Sequence, residues 1–286
     1  MTLTSREIDQ IEAANASGRV PVVFLHDLWL LASSWDRWRD RVEQRGYASL
    51  APGWAEDITA VPMSAGQDPR AFAEAVVQRI TDHHLEIVER LAITPAVVGH
   101  GFGGLLAQRL AGLGAAGVTV AIEPAPFRGV LPVPPSWLRA SAADIGRAVT
   151  LGLAEFRYAW ANALGTEEAH RLYDEFVAEA CDVPLFQAVA ANLNPFADTE
   201  VGTNAEDRGP LLLISGEKDN TVPWPIVYGA HRKQSLNPSL TQVVELAERG
   251  HSLTIDHGWE LVADTALGFI AEHHRSAAPA GTARAR

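Results

Sequence analysis

The 286-residue chain carries 23 basic and 35 acidic residues, a net charge of −12 at neutral pH, and is 47% hydrophobic. That length and hydrophobic share allow one large core with room for an inserted subdomain. The acidic balance, with no concentrated basic run, argues against nucleic-acid and anionic-membrane partners.

Residues 1–19 are polar and predict no signal peptide, and no apolar run reaches the ~20 residues of a membrane span. The single cysteine, Cys181, cannot form an internal disulfide, which predicts a reducing, cytoplasmic setting and a buried, unreactive thiol. Residues 20–25 (VPVVFL) form a short β-branched run, the pattern of a strand buried on both faces. His26-Asp27-Leu28-Trp29 follows it. Ser34 is placed to N-cap a helix reaching about Arg45, and Gly46 stops that helix before a second strand at 47–50. Residues 68–91 carry apolar positions at roughly helical spacing. The adjacent His83 and His84 on this helix are expected to face solvent.

The chain is organised around residues 95–108, PAVVGHGFGGLLAQ. An apolar strand runs into Gly99-His100-Gly101-Phe102-Gly103-Gly104, and a helix-compatible run begins at Leu105. Strand, tight small-residue turn and helix make the layout of a nucleophile elbow, G-x-S-x-G, in which the N–H after the central residue serves as an oxyanion donor. Gly101 stands where the serine is expected, so the turn is kept and the hydroxyl is missing. A bland glycine-rich turn or a phosphate loop is the simpler alternative. His100 is expected to pack beneath the turn.

A strand at 117–122 ends in Glu123, for which a supporting or ion-pair role with Arg128 is as well founded as a direct one. Composition then shifts. Residues 129–204 are helical in pattern and rich in aromatics, including Trp137, Phe156, Trp160, Tyr173, Phe176, Phe186 and Phe196. They predict a helical cap over an apolar pocket, with an ordinary covering layer as the alternative. The expected division is a core over 1–128 and 205–275, a cap over 129–204 and a disordered tail over 276–286. Strands at 209–215 and 242–246 lead into loops carrying Asp219 and His251, and residues 259–273 form a closing amphipathic helix. Strands alternating with helices predict a mostly parallel α/β sheet of about eight strands, with functional loops at their C-terminal ends.

Elbow, then Asp219, then His251 is the chain order of a hydrolase triad. A carboxylate bonded to one imidazole nitrogen fixes the tautomer and leaves the other nitrogen to move protons. No His, Cys or carboxylate grouping has metal-ligand spacing, and no cofactor is expected.

Over residues 20–271 the chain resembles the α/β-hydrolase superfamily. It is most similar to a bacterial group through HDLWLLASSWDRW (26–38), GHGFGG (99–104), EPAPFRGV (123–130), SGEKDNTVPW (215–224) and RGHSLTID (249–256). The resemblance implies an α/β-hydrolase fold with an inserted cap, and catalytic roles for His251 and Asp219. It also implies an oxyanion-loop N–H beside the elbow, with His26, Leu28, Trp29, Phe102 and Glu123 as oxyanion or pocket residues. Relative to that pattern Gly101 replaces the serine, Asp27 a glycine, Glu123 an aspartate and Asn220 a histidine. Asp27 would repel a developing oxyanion and favours chemistry in which a carboxyl handles a proton.

Four readings follow. The first is non-covalent acid–base chemistry by His251, Asp219 and Asp27 on an apolar, natural-product-like molecule: cyclisation, elimination or isomerisation. The second is hydrolysis of an epoxide, lactone or ester by Asp27 or by His251-activated water. The third is a non-catalytic ligand binder, and the fourth a serine-to-glycine inactivated variant. The expected partner is a hydrophobic small molecule, and the sequence allows a homodimer.

Overall fold

The structure is a computed structural model that describes residues 3–54, 69–127, 129–130, 152–177 and 201–274. Its frame is six parallel strands: β1 (Pro21–Leu25), β2 (Ala48–Leu50), β3 (Ala96–His100), β4 (Val118–Ile122), β5 (Leu211–Gly216) and β6 (Thr241–Leu246), in the order β2-β1-β3-β4-β5-β6. About eight strands were expected, so the sheet among the described residues is smaller. The double-sided burial read from VPVVFL is present. Val23 and Leu25 enter one core with Leu105, Leu106 and Ile80, while Val22 and Phe24 enter the other with Trp35, Trp38 and Val262. Side chains alternate across a strand, so a run apolar at every position serves a sheet covered on both faces.

Helices supply the two covers. On the first face lie α1 (Ser5–Ser17), α3 (Pro69–Glu89), α4 (Phe102–Gly112) and α7 (Trp224–Gln234). On the second lie α2 (Asp36–Gln44) and α8 (Trp259–His273). The structure departs from the sequence reading at α1, which opens on a capping box: Thr4 Oγ1 accepts from the Glu7 N–H, and Glu7 accepts from the Thr4 N–H. Ser34 does not cap α2. It sits inside a 3₁₀ turn (Ala32–Trp35) that leads directly into the helix, and its hydroxyl is buried.

His83 and His84 are buried, not solvent-facing. His83 Nε2 pairs with Glu7 of α1 at 2.8 Å, and His84 Nδ1 donates to the Ile80 carbonyl at 2.8 Å. A helix from another part of the chain covers this face, which the local pattern of charges does not reveal.

Of the expected cap, residues 152–177 are described: α5 (Leu153–Ala159), α6 (Thr166–Leu172) and a π turn (Tyr173–Val177). Phe156, Trp160, Leu172 and Phe176 form a cluster with Leu30 and Ile255, residues just beyond Asp27 and His251. Arg128, Trp137, Cys181, Phe186, Phe196 and the 276–286 tail lie outside the described residues. Among the described residues no helix is long and apolar enough to cross a membrane.

Candidate active site

Every candidate group sits where a strand ends. Parallel strands leave their C-terminal ends along one edge, so residues far apart in sequence meet there. β1 delivers Asp27, β3 Gly101, β4 Glu123, β5 Asp219 and the loop after β6 His251.

At the β3–α4 turn Gly101 has φ 56° and ψ −116°, the strained backbone of an elbow that glycine adopts most cheaply. The flanking glycines are required by close approach. A Cβ on Gly99 would lie 2.0 Å from the Gly103 carbonyl oxygen, and one on Gly103 would lie 2.1 Å from the Leu25 carbonyl oxygen.

The space over Gly101 is filled. A Cβ built on Gly101 would lie 2.3 Å from Asp27 Cγ and Oδ1 and 2.7 Å from Oδ2. The Asp27 carboxylate thus stands where the side chain of an elbow serine would begin. Its Oδ1 accepts the Phe102 N–H at 2.5 Å, the elbow's oxyanion donor, and its Oδ2 lies 3.4 Å from His251 Nε2. His251 Nδ1 donates to Asp219 Oδ2 at 2.7 Å. Asp219 is held by its own turn, its Oδ1 accepting from Thr221 N–H at 2.6 Å and Val222 N–H at 2.8 Å.

The loop carrying His251 is tied down on both sides. Trp38 Nε1 donates to the Thr254 carbonyl at 2.9 Å and Arg37 to the Ile255 carbonyl at 2.5 Å. A buried Arg249–Asp256 ion pair closes the turn. Across the site, the Ser252 N–H donates to the Trp160 carbonyl at 3.1 Å. The Trp160 ring meets His251 edge to face, with centroids 4.6 Å apart.

Charge follows from these contacts. Burial favours neutral Asp27, but the hydrogen bond and charge of His251, with the Phe102 N–H, hold it below the usual carboxylate range. Burial likewise opposes charge on Asp219, and His251 keeps it low. For His251 burial favours the neutral ring; the Asp219 charge, then negative charge on Glu123, and the hydrogen bonds to Asp219 and Asp27 outweigh that and raise it well above its ordinary value. All three directions favour the charged forms, Asp27⁻, His251 imidazolium and Asp219⁻.

His100 donates from Nε2 to the His251 carbonyl at 3.0 Å, and burial followed by the His251 charge pushes it down to about 3. It is a neutral packing residue under the turn. His26 donates from Nδ1 to the Asp27 carbonyl at 2.8 Å and is pushed by burial to about 4, so it too is neutral and shapes the loop. Phe102 contributes its N–H, while its ring packs into the core against Trp54. Leu28 is also a core residue. Trp29, half-buried, meets Trp160 edge to face with centroids 6.1 Å apart and borders the site. Glu123 is fully enclosed and faces the histidines: its Oε2 lies 3.3 Å from His251 Nδ1 and 3.5 Å from His100 Nε2. Asn220 turns away, donating to the Tyr158 carbonyl at 2.9 Å.

Sequence spacing shows no metal-ligand grouping, yet the fold brings donor atoms of His100, Glu123 and His251 within 4.8 Å of one another. Both His251 nitrogens face carboxylates, and both His100 nitrogens face the His251 carbonyl or the Thr254 hydroxyl. The ring nitrogens of the two histidines thus serve the hydrogen-bond network.

Solved structures share this architecture. Over 88% of this chain and 94% of that one, it is similar to a monoacylglycerol lipase of Paleococcus ferrophilus (17% identity, TM-score 0.62). Over 89% and 92% it is similar to a 2-hydroxy-6-oxo-6-phenylhexa-2,4-dienoate hydrolase of Rhodococcus sp. strain RHA1 (15%, TM-score 0.63). With the same coverage it is similar to an enol-lactonase of Burkholderia xenovorans LB400 (17%, TM-score 0.60). No curated protein matches the chain. The alpha/beta hydrolase family profile matches residues 22–265, and on that match the chain belongs to the alpha/beta hydrolase family.

Proposed function

We propose that this chain is an enzyme of the alpha/beta hydrolase family that works without a serine nucleophile. Asp27 and His251 form its acid–base pair, Asp219 orients His251, and the substrate is an apolar, natural-product-like small molecule. The observation that carries this reading is the Asp27 carboxylate over Gly101, bonded to the Phe102 N–H and facing His251 Nε2. That N–H, which would otherwise await an acyl oxyanion, is already engaged, and no hydroxyl stands at position 101.

The resting ion pair suits elimination, isomerisation or ring closure. Asp27 Oδ2 takes a proton from a substrate carbon while His251 Nε2–H gives one to an oxygen. Asp27 then returns its proton to His251 across their 3.4 Å contact, and the pair is reset without water. The aromatic cluster of Phe156 and Trp160, read as part of a cap over 129–204, supports an apolar substrate and a dry site.

One observation favours a second reading. With Oδ1 seated on the Phe102 N–H, Oδ2 could attack an epoxide carbon, leaving an ester, or a lactone carbonyl carbon, leaving an anhydride; His251 Nε2, 3.4 Å away, would protonate the released alkoxide and then activate the water that cleaves the intermediate. A single-turnover reaction in ¹⁸O-water separates the two readings, using any epoxide, lactone or β-hydroxy-ketone substrate found by screening. Acid–base chemistry leaves the Asp27 peptide unlabelled, whereas covalent catalysis places heavy oxygen in its carboxylate. Asp27→Asn and His251→Gln are each expected to lower turnover by ~10²–10⁴-fold. Full turnover in both variants contradicts the proposal.

A further inference from the structure

His251 faces three carboxyl groups, and the reading above uses two of them. Its Nδ1 lies 2.7 Å from Asp219 Oδ2 and 3.3 Å from Glu123 Oε2, and a single N–H can serve only one of them well. Asp219 is the one equipped for negative charge, because the Thr221 and Val222 N–H groups join the imidazole in donating to it. Glu123 receives one N–H, from Gly216 to Oε1 at 3.1 Å. Among the described residues its Oε2 has no hydrogen-bond partner, although the side chain is completely buried. A carboxylate with so little support in a dry site is costly, and a carboxylic acid is not.

Among the described residues, no other cation compensates Glu123. His100 from β3 is neutral and gives its Nε2 proton to the His251 carbonyl. From the β5 and β6 loops, Lys218 is paired with Glu248 and Arg249 with Asp256. Beyond His251 stands a further anion, Asp27. Glu123 also holds a left-handed backbone at φ 44°, a strain that a non-glycine residue keeps where its side chain has a set position.

We propose that Glu123 is a positioning residue: a neutral carboxylic acid whose lack of charge limits the negative charge felt at His251 Nδ1. The proposal rests on the reading of His251 as the acid–base group. Were Glu123 ionised, three anions would grip one imidazolium and oppose release of its Nε2 proton. With Glu123 neutral, two anions face it, and the proton can leave. The direction of the Glu123 shift agrees: burial and then the Asp219 charge push its carboxyl well above the usual range.

The test uses the full chain and needs no substrate. Infrared spectra at neutral pH should contain a protonated-carboxyl C=O band that moves on ¹³C-glutamate labelling, stays on ¹³C-aspartate labelling and disappears in Glu123→Gln. In that variant the His251 imidazole, followed by NMR, should titrate within about half a unit of its original pKa. A missing glutamate band, or a fall of about one unit or more in the His251 pKa, overturns the proposal, because an ionised Glu123 would then be supporting the charge. Should Glu123→Gln fail to fold, the labelled band of the unaltered protein decides alone. Because the band is read without turnover, its absence leaves the acid–base reading of Asp27 and His251 to its own test.

Discussion

Asp27 Cγ lies 2.3 Å from the point where a Cβ on residue 101 would stand, so Asp27 and Gly101 are complementary occupants of one space. Gly101→Ser alone must displace the carboxylate and adopt φ 56°, and is expected to lower stability by about 2–4 kcal/mol. Asp27→Gly with Gly101→Ser removes the clash. Denaturant unfolding of the two single variants and the double variant should show a favourable coupling of about 1–3 kcal/mol. Additive effects would mean that the two side chains do not compete.

The same pair governs labelling by serine-directed reagents. The unaltered protein should not react with a fluorophosphonate at position 101. The double variant frees the Phe102 N–H and supplies a hydroxyl beside His251, and should be labelled more strongly than Gly101→Ser alone. Equal labelling of the single and double variants would place the Asp27 carboxylate away from the oxyanion site.

Acid should unfold this protein through its buried histidines. His26 is pushed to about 4, His84 to about 3 and His100 to about 3, in each case first by burial. Below pH 6.5 the unfolded chain binds these protons and the folded chain does not, so stability falls as pH drops toward 4. Each histidine contributes up to about a tenfold change in the folding equilibrium per pH unit. His251 acts on the other side: its pKa is raised, so its contribution is complete below 6.5 and is lost as pH rises through its folded value. Unfolding curves at pH 7 and pH 5 check this, and His84→Gln should remove one proton from the acid slope. Equal stability at the two pH values would contradict it.

The turn behind His251 depends on an ion pair with an unequal environment. The Arg249 side chain is 11% exposed and that of Asp256 is 0% exposed. Arg249→Met leaves a buried carboxylate without its cation and is expected to cost about 3–5 kcal/mol near neutral pH. Asp256→Asn should cost less, because Arg249 can reach water. Burial raises the Asp256 pKa, so acidification should lessen the Arg249→Met penalty. Thermal unfolding of the two variants at pH 7 and pH 5 measures both differences.

Much of this arrangement is written locally in the sequence. VPVVFL and GPLLLIS are strands because each carries an unbroken apolar run, and the 259–273 helix shows its spacing directly. Asp219 and His251 follow their strands in the expected order, and their 2.7 Å contact is present. The T-x-x-E spacing of Thr4 and Glu7 is an equally local signal of the capping box that opens α1. What local pattern could not supply are contacts made across the fold. Burial of His83 requires Glu7, 76 positions away. The meeting of Asp27 with Phe102, 75 positions apart, requires β1 and β3 to be neighbours in the sheet. From sequence, the desolvation of Asp27 and the charge of His251 could not be weighed against each other; the 3.4 Å contact and the Phe102 N–H decide for the anion.

The central claim is that an Asp27 carboxylate replaces the serine and occupies the oxyanion donor of the elbow. The ¹H–¹⁵N resonance of the Phe102 amide reports this most directly. A 2.5 Å bond to a carboxylate should move its proton far downfield at neutral pH, and Asp27→Asn should bring it back toward the ordinary amide range. A Phe102 amide at an ordinary position, unchanged by Asp27→Asn, would contradict the account.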